Sequence, residues 1–98
     1  MKIILDDQRI FPDGPYNCVR TYDDCIRFLR IFRKASFLSL DYDLGSDKTG
    51  LDVLIYMHEN GIKATHINIH SDHSEGVPKM RTYAAEHFPE AILTFNSL

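Results

Sequence analysis

Short β-rich runs alternate with helical stretches along the chain. Runs rich in apolar and β-branched residues predict five strands, at residues 2–6, 17–20, 37–41, 66–70 and 91–95. Apolar residues at helical spacing predict three helices, at residues 22–34, 51–60 and 78–88. Because strands that alternate with helices form βαβ units, we expect an α/β domain built on a mostly parallel five-stranded sheet.

The connection between the first two predicted strands is short and rich in turn residues. It contains Pro12, Gly14 and Pro15. It leaves only about ten residues, which is near the minimum for a crossover between parallel strands. We therefore expect the first helix of the fold to be short or missing.

Two Thr-x-x-Asp segments stand where predicted helices begin, at residues 21–24 and 49–52. A threonine hydroxyl can accept a hydrogen bond from an N–H of the first turn, and an aspartate three residues later favours the positive end of the helix. We interpret Asp23, Asp24 and Asp52 as residues that stabilise helix starts rather than as ligands.

The length and charge of the chain limit the classes of function. Its 98 residues predict a single domain over residues 1–98. The net charge of −3 argues against binding of duplex nucleic acid by bulk electrostatics, although a local cation can still bind a small phosphorylated ligand. The apolar N-terminal segment is too short for a signal peptide or a membrane span, so we expect a cytoplasmic protein with no membrane partner. Composition leaves the oligomeric state open.

Acidic residues cluster at the ends of the predicted strands. The first strand ends in Asp6 and Asp7, the third in Asp41 and Asp43, and the fourth in His-Ser-Asp-His at residues 70–73. In a parallel sheet these ends share one edge, where such sheets bind ligands. Neighbouring carboxylates repel one another unless a cation or a proton lies among them. We therefore expect the four aspartates to hold Mg²⁺ or Mn²⁺.

His70 is the imidazole nearest to this predicted acid cluster. A neighbouring carboxylate fixes the tautomer of an imidazole and suits it to act as a general acid or base in phosphate chemistry. His73 is a second candidate for the same role, and Ser71 between them offers a hydroxyl group. The cations that could meet a phosphate are Arg9, Arg20, Lys48 and Lys79.

These residues resemble the response-regulator receiver domains, in which an acid pair holds Mg²⁺ and a third-strand aspartate accepts a phosphoryl group. By position, Asp6 and Asp7 match the acid pair, Asp41 the acceptor, and Ser71 the hydroxyl residue that contacts the phosphoryl group. The resemblance implies a three-layer receiver- or flavodoxin-like fold with strand order 2-1-3-4-5 and helices on both faces. The fifth-strand lysine of receivers has no counterpart in ILTFNSL.

A closer resemblance is to a divergent receiver-like family, the cyclic-phosphate processing receiver domain. The segments that carry it are LDDQRIFPDG, VRT, SLDYDLG, TGLDV and HS, in that order along the chain. It implies action on a cyclic nucleotide or a 2′,3′-cyclic phosphate end. The site positions carried over are Asp6, Asp7, Arg9, Arg20, Asp41, Asp43, Thr49, His70 and Ser71. The chain differs from the family pattern at Tyr42, where the family has histidine, and at HSEG, where it has NPVG.

Three functions are compatible with this pattern. In the first, the protein is a metal-dependent phosphoesterase: the aspartates hold the metal, His70 transfers a proton, and phosphate oxygens are bound by Ser71, Arg9, Arg20, Thr49 and Lys79. In the second, it binds a phosphorylated nucleotide without cleaving it. In the third, it is a receiver-like switch or interaction module in which Asp41 accepts a phosphoryl group or is vestigial.

Overall fold

The computed structural model of the chain describes residues 1–8 and 15–95. Its strands are β1 (Lys2–Leu5), β2 (Asn17–Val19), β3 (Lys34–Ala35), β4 (Phe37–Leu40), β5 (Lys63–Ala64), β6 (His66–Ile69) and β7 (Ile92–Thr94). Its helices are α1 (Tyr22–Phe32), α2 (Gly50–Glu59) and α3 (Gly76–His87). Every one of these helices is too short or too polar to cross a bilayer.

The five longer strands form one parallel sheet in the order β2-β1-β4-β6-β7. Counted without the two-residue strands, this is the order 2-1-3-4-5, so the parallel five-stranded sheet and its strand order are confirmed. The two-residue strands β3 and β5 pair with each other in a second sheet. The sequence analysis missed them because two residues are too few to show a periodicity.

One face of the five-stranded sheet carries the apolar core. Alternate strand residues such as Leu5, Leu40 and Ile69 point to this face, and they belong to the same buried cluster as residues of α1, α2 and α3. The three helices of the described residues therefore lie on one face, whereas the resemblance implied helices on both faces.

The strand order explains this difference. The crossovers from β2 to β4, from β4 to β6 and from β6 to β7 all advance in the same direction across the sheet. Right-handed crossovers that advance in one direction lie on one face. The step from β1 to β2 runs the other way, and its described parts, residues 6–8 and 15–16, contain no helix. Residues 9–14 of this connection lie outside the part of the chain that the structure describes.

The opposite face of the sheet carries polar side chains. Ser39, Asn68 and Thr94 lie side by side on β4, β6 and β7, because the strand register pairs Ser39 with Asn68 and Asn68 with Thr94. Ser39 and Asn68 are buried. Buried polar groups need hydrogen-bond partners, so this row requires a network of its own.

Both predicted helix starts are stabilised as expected. The Thr21 hydroxyl accepts a hydrogen bond from the Asp24 N–H, at 3.1 Å. At the start of α2, Thr49 and Asp52 form a reciprocal capping box.

We expect the two cysteines to differ in reactivity, because Cys18 is exposed and Cys25 is buried in the core. Burial raises the pKa of the Cys25 thiol to about 12, and the thiolate is the reactive form. An aromatic disulfide reagent at about pH 8 should modify Cys18 in the native protein and Cys25 only after urea unfolding. Thiol titration with peptide mass mapping measures this. Equal rates at both residues in native protein would contradict the packing of α1 against the sheet.

Candidate functional site

Three side chains meet at the carboxyl edge of the central strands. Asp6, Asp41 and His70 each follow the last residue of β1, β4 or β6, and these strands are neighbours in the sheet. The backbone hydrogen bonds of the sheet extend to two of these residues. The Asp41 N–H donates to the Leu5 carbonyl and the His70 N–H to the Leu40 carbonyl, both at 3.0 Å. One ligand atom of each of the three side chains lies within 4.8 Å of the others.

Asp6 is the buried member of this group, with a side chain that is only 4% exposed. Its Oδ1 accepts a hydrogen bond from the Gln8 N–H at 2.9 Å, and its Oδ2 lies 3.1 Å from His70 Nε2. The His70 ring has no exposed surface, and its other nitrogen, Nδ1, lies 2.6 Å from Ser39 Oγ. Both ring nitrogens of His70 are therefore engaged within the protein.

Asp41 is half-buried and carries the less compensated charge. Burial raises the pKa of its carboxyl above the usual value, and the nearby Asp6 charge adds to this. A hydrogen bond from the Ser71 hydroxyl and the proximity of His70 act in the opposite direction, but the net shift of the pKa is upward. A cation among these oxygens would compensate for the hydration that Asp41 loses on burial and for the repulsion from Asp6.

A cavity of about 240 Å³ opens beside these residues. Its lining contains five residues that the sequence analysis proposed as site residues: Asp7, Asp41, Asp43, Ser71 and His73. It also contains Gln8, Gly45 and Asp72. His70 is not among the lining residues, and it contacts Asp6 and Ser39 instead.

The loop after β4 shapes one wall of the cavity. Asp43 Oδ1 accepts a hydrogen bond from the Gly45 N–H at 2.9 Å, and Gly45 has a φ of 70°, which favours glycine. A Cβ atom at Gly45 would lie 3.1 Å from Asp7 Oδ2, so the loop passes close to the Asp7 carboxylate. The turn therefore brings the carboxylates of Asp7 and Asp43 to the same wall.

His73 lines another part of the cavity, and Tyr42 packs against it without lining the cavity itself. Their ring centroids are 4.6 Å apart, and His73 Nδ1 accepts a hydrogen bond from the Gly76 N–H at 2.9 Å. In the neutral ring the proton then lies on Nε2, so that His73 offers a donor. Tyr42, which occupies the position of the family histidine, lies against Gly76: a Cβ atom there would be 2.3 Å from the tyrosine ring.

Three of the predicted phosphate-binding residues, Arg20, Thr49 and Lys79, do not line this cavity. Arg20 is exposed and donates from Nη1 to the Asp7 carbonyl at 3.4 Å. The Thr49 hydroxyl donates to Asp52 Oδ2 at 3.1 Å, within the capping box. Lys79, on α3, lines a different cavity, and Arg9 lies outside the described residues. Among residues 1–8 and 15–95, no arginine or lysine lines the carboxylate cavity.

The donor set fits a hard divalent cation. Carboxylate oxygens are the ligands that Mg²⁺ and Mn²⁺ prefer, and Asp6, Asp7, Asp41 and Asp43 all lie at this edge or in the cavity wall. The pKa of Asp41 is raised mainly by burial and further by the Asp6 charge, and a bound cation would favour the ionised carboxylate. These four residues would hold such a cation.

Ser39 contacts both His70 and Asn68, although it is not among the predicted site residues. The available signal is the alternation of faces, since a serine between two leucines of a buried strand points away from the apolar face. The same alternation in β6 places His66, Asn68 and His70 on one polar face.

One known protein family matches most of this chain. The family model described as the cyclic-phosphate processing receiver domain matches residues 1–86, from before β1 to the end of α3 apart from its last residue. No curated protein and no solved structure matches the chain.

Asp41→Asn should stabilise the metal-free protein at pH 7. The raised pKa means that ionised Asp41 destabilises the folded state, and asparagine removes that charge at nearly constant shape. The gain should shrink as pH falls from the raised folded pKa towards the ordinary value of 3.8, because folded wild-type protein then takes up the proton itself. Urea unfolding across this pH range tests it, with the exposed Asp47→Asn as a control. A loss of stability at pH 7 would contradict the prediction.

Thr49→Val should lower the unfolding free energy by about 1 kcal/mol, because the substitution removes the hydroxyl that caps α2. Thr49→Ser keeps the hydroxyl and should stay close to wild type. Chemical denaturation of the three proteins measures the difference. Equal stability of all three would instead leave the Thr49 hydroxyl available for the phosphate-binding role that the sequence suggested.

Proposed function

Because the chain belongs to the cyclic-phosphate processing receiver domain family, we propose that it binds a divalent cation at the carboxyl edge of the sheet and processes a cyclic phosphate there. The observation that carries the proposal is the convergence of Asp6, Asp41 and His70, whose ligand atoms lie within 4.8 Å of one another. The adjoining cavity gives a ligand access to Asp41.

The charge of the cavity explains why a cation is part of the proposal. Asp7, Asp41, Asp43 and Asp72 line it, and in the described residues no arginine or lysine does. These carboxylates would repel the negative charge of a phosphate, so that a cation between the two is needed for binding. The chemistry that Mg²⁺ or Mn²⁺ supplies in such a position is polarisation of a phosphoryl oxygen and activation of water.

The remaining residues bind and orient the ligand. The Nε2–H of His73 is a donor suited to a phosphate oxygen. The Ser71 hydroxyl donates its one proton to Asp41, and it would turn this proton to the phosphate when a cation compensates Asp41 instead. For His70, the burial of the ring and the use of both nitrogens favour a role in holding Asp6 rather than proton transfer to a ligand.

The size of the cavity limits what it can enclose. Its volume of about 240 Å³ is below the range of about 300–1,000 Å³ that is usual for pockets of drug-sized ligands. It would hold the cyclic phosphate and part of the sugar and leave a base outside. The substrate is thus a cyclic nucleotide or a 2′,3′-cyclic phosphate end with few contacts to its base, and the cytoplasmic location stays a prediction.

A second candidate function is binding of the same ligand without cleavage. The observation that favours it is the replacement of the family histidine by Tyr42, together with the burial of the other candidate proton carrier, His70. Tyrosine has an ordinary pKa near 10 and is a poor base at pH 7. Under this alternative the metal, Ser71 and His73 bind the phosphate and no water attacks it.

Incubation of the protein with 3′,5′- and 2′,3′-cyclic nucleotides, with Mn²⁺ or with a chelator, tests the proposal. We expect hydrolysis that requires the metal and that falls at least about 100-fold in Asp41→Asn. This loss is larger than is usual when a group that contacts only a metal ligand is removed. Asp47→Asn, which changes an exposed aspartate outside the cavity, is the matched control.

The outcomes separate the two functions. Metal-dependent calorimetric binding with the nucleotide recovered intact would support binding without cleavage. Hydrolysis that is equal with chelator and in Asp41→Asn would contradict the proposed site. Neither binding nor turnover with any of the nucleotides would contradict both functions.

A further inference from the structure

A continuous chain of hydrogen bonds runs along the polar face of the sheet and ends at the acid cluster. Three of its members, Ser39, Asn68 and Thr94, are direct neighbours across β4, β6 and β7. The links are His66 Nε2 to Thr94 Oγ1 (2.8 Å), Thr94 Oγ1 to Asn68 Oδ1, Asn68 Nδ2 to Ser39 Oγ (3.0 Å), Ser39 Oγ to His70 Nδ1 (2.6 Å) and His70 Nε2 to Asp6 Oδ2 (3.1 Å).

The direction of the chain follows from its last member. An ionised carboxylate only accepts hydrogen bonds, so the contact with Asp6 requires a proton on His70 Nε2. In a neutral imidazole the other nitrogen is then an acceptor. Ser39 therefore donates its hydroxyl proton to His70 Nδ1.

The donor and acceptor of each remaining hydrogen bond on this face are fixed in the same way. A serine hydroxyl has one proton, so Ser39 accepts from the Asn68 amide N–H. This orients the Asn68 carbonyl towards Thr94, which donates to it and in turn accepts from His66. Every link then has one donor and one acceptor, in agreement with the absence of unsatisfied buried side-chain atoms in the described residues.

These hydrogen bonds occupy both ring nitrogens of His70. The Nδ1 lone pair accepts the Ser39 hydroxyl, and Nε2 carries a proton, so neither nitrogen can bind a cation. We propose that this chain of hydrogen bonds holds His70 as a donor to Asp6 and so makes the acid cluster a site of oxygen ligands only, which lowers its preference for Zn²⁺ relative to Mn²⁺.

This inference rests on the metal site of the proposed function and adds to it the basis of metal choice. Imidazole nitrogen favours Zn²⁺, whereas a set of carboxylate oxygens suits Mg²⁺ and Mn²⁺. The ligand atoms of Asp6, Asp41 and His70 are close enough to one another for a mixed nitrogen and oxygen site. Ser39 and Asn68 are thus positioning residues, which act on the cation through His70.

Nitrogen-15 spectra of the metal-free protein test the tautomer directly. We expect a neutral His70 with its proton on Nε2, and the signal among the five histidines is identified by its loss in His70→Gln. A proton on Nδ1 alone, or a doubly protonated ring at pH 7, would overturn the inference. This measurement needs neither substrate nor metal.

Metal affinities test the selectivity. Ser39→Ala removes the donor to Nδ1, so the ring can move its proton to Nδ1 and bind a cation through Nε2. We expect the ratio of Zn²⁺ to Mn²⁺ affinity to rise by about 10- to 100-fold, as for other outer-shell substitutions. Ser39→Thr keeps the hydroxyl and should keep the wild-type ratio. Calorimetry with each metal alone measures both, and an unchanged ratio in Ser39→Ala would overturn the proposal.

Asn68→Asp provides a nearly isosteric second variant. A carboxylate at position 68 accepts from Ser39 instead of donating to it, so Ser39 no longer donates to His70 and the neutral Nε2–H form should be lost. Retention of that form would overturn the inference. Failure of wild-type protein to bind Mn²⁺ would contradict both proposals. Mn²⁺ binding without cyclic-phosphate turnover, with the tautomer and the Ser39→Ala effect as expected, would contradict catalysis alone.

Discussion

The contact between Asp6 and His70 is the interaction on which the carboxyl edge of this sheet depends. It joins the ends of β1 and β6 across β4, which lies between them. A buried carboxylate without a partner would be costly, and here an imidazole N–H and a backbone N–H compensate Asp6. Asp41, close by, accepts hydrogen bonds from the Ser71 hydroxyl and the Tyr42 backbone, yet burial and the Asp6 charge keep its pKa raised. The two acids therefore differ. Hydrogen bonds within the protein fix Asp6, whereas the charge of Asp41 can still be compensated by a bound cation.

The parts of the fold that follow from periodicity could be predicted from the sequence. The five longer strands and three helices lie where apolar spacing placed them, and the predicted caps Thr21 and Thr49 both bond to the first turn. The convergence of Asp6, Asp41 and His70 follows from two features: parallel strands end at one edge, and the strand order makes β1, β4 and β6 neighbours. Side chains that directly follow a strand are therefore the part of a site that a sequence predicts well.

Features that depend on side-chain partners could not be predicted in this way. The hydroxyl of Thr49 suited a cap and a ligand equally, and only its bond to Asp52 shows how it is used in the fold. The hydrogen-bond partners of Ser39 depend on the register of β4 against β6, which the sequence does not specify. Lys79 is one of several exposed cations, and its position on α3 takes it to another cavity. The three described helices lie on one face because their crossovers all advance in the same direction across the sheet.

The close approach of Gly76 to Tyr42 couples the choice of residue at these two positions. The ring occupies the space that a side chain at position 76 would need, since a Cβ atom there would lie 2.3 Å from it. The family pattern has a glycine at this position and a histidine in place of Tyr42. Glycine at position 76 is thus the condition under which a tyrosine ring fits in this place. A variant with a side chain at position 76 would have to move the ring or carry a smaller residue at position 42, so the two positions can change only together.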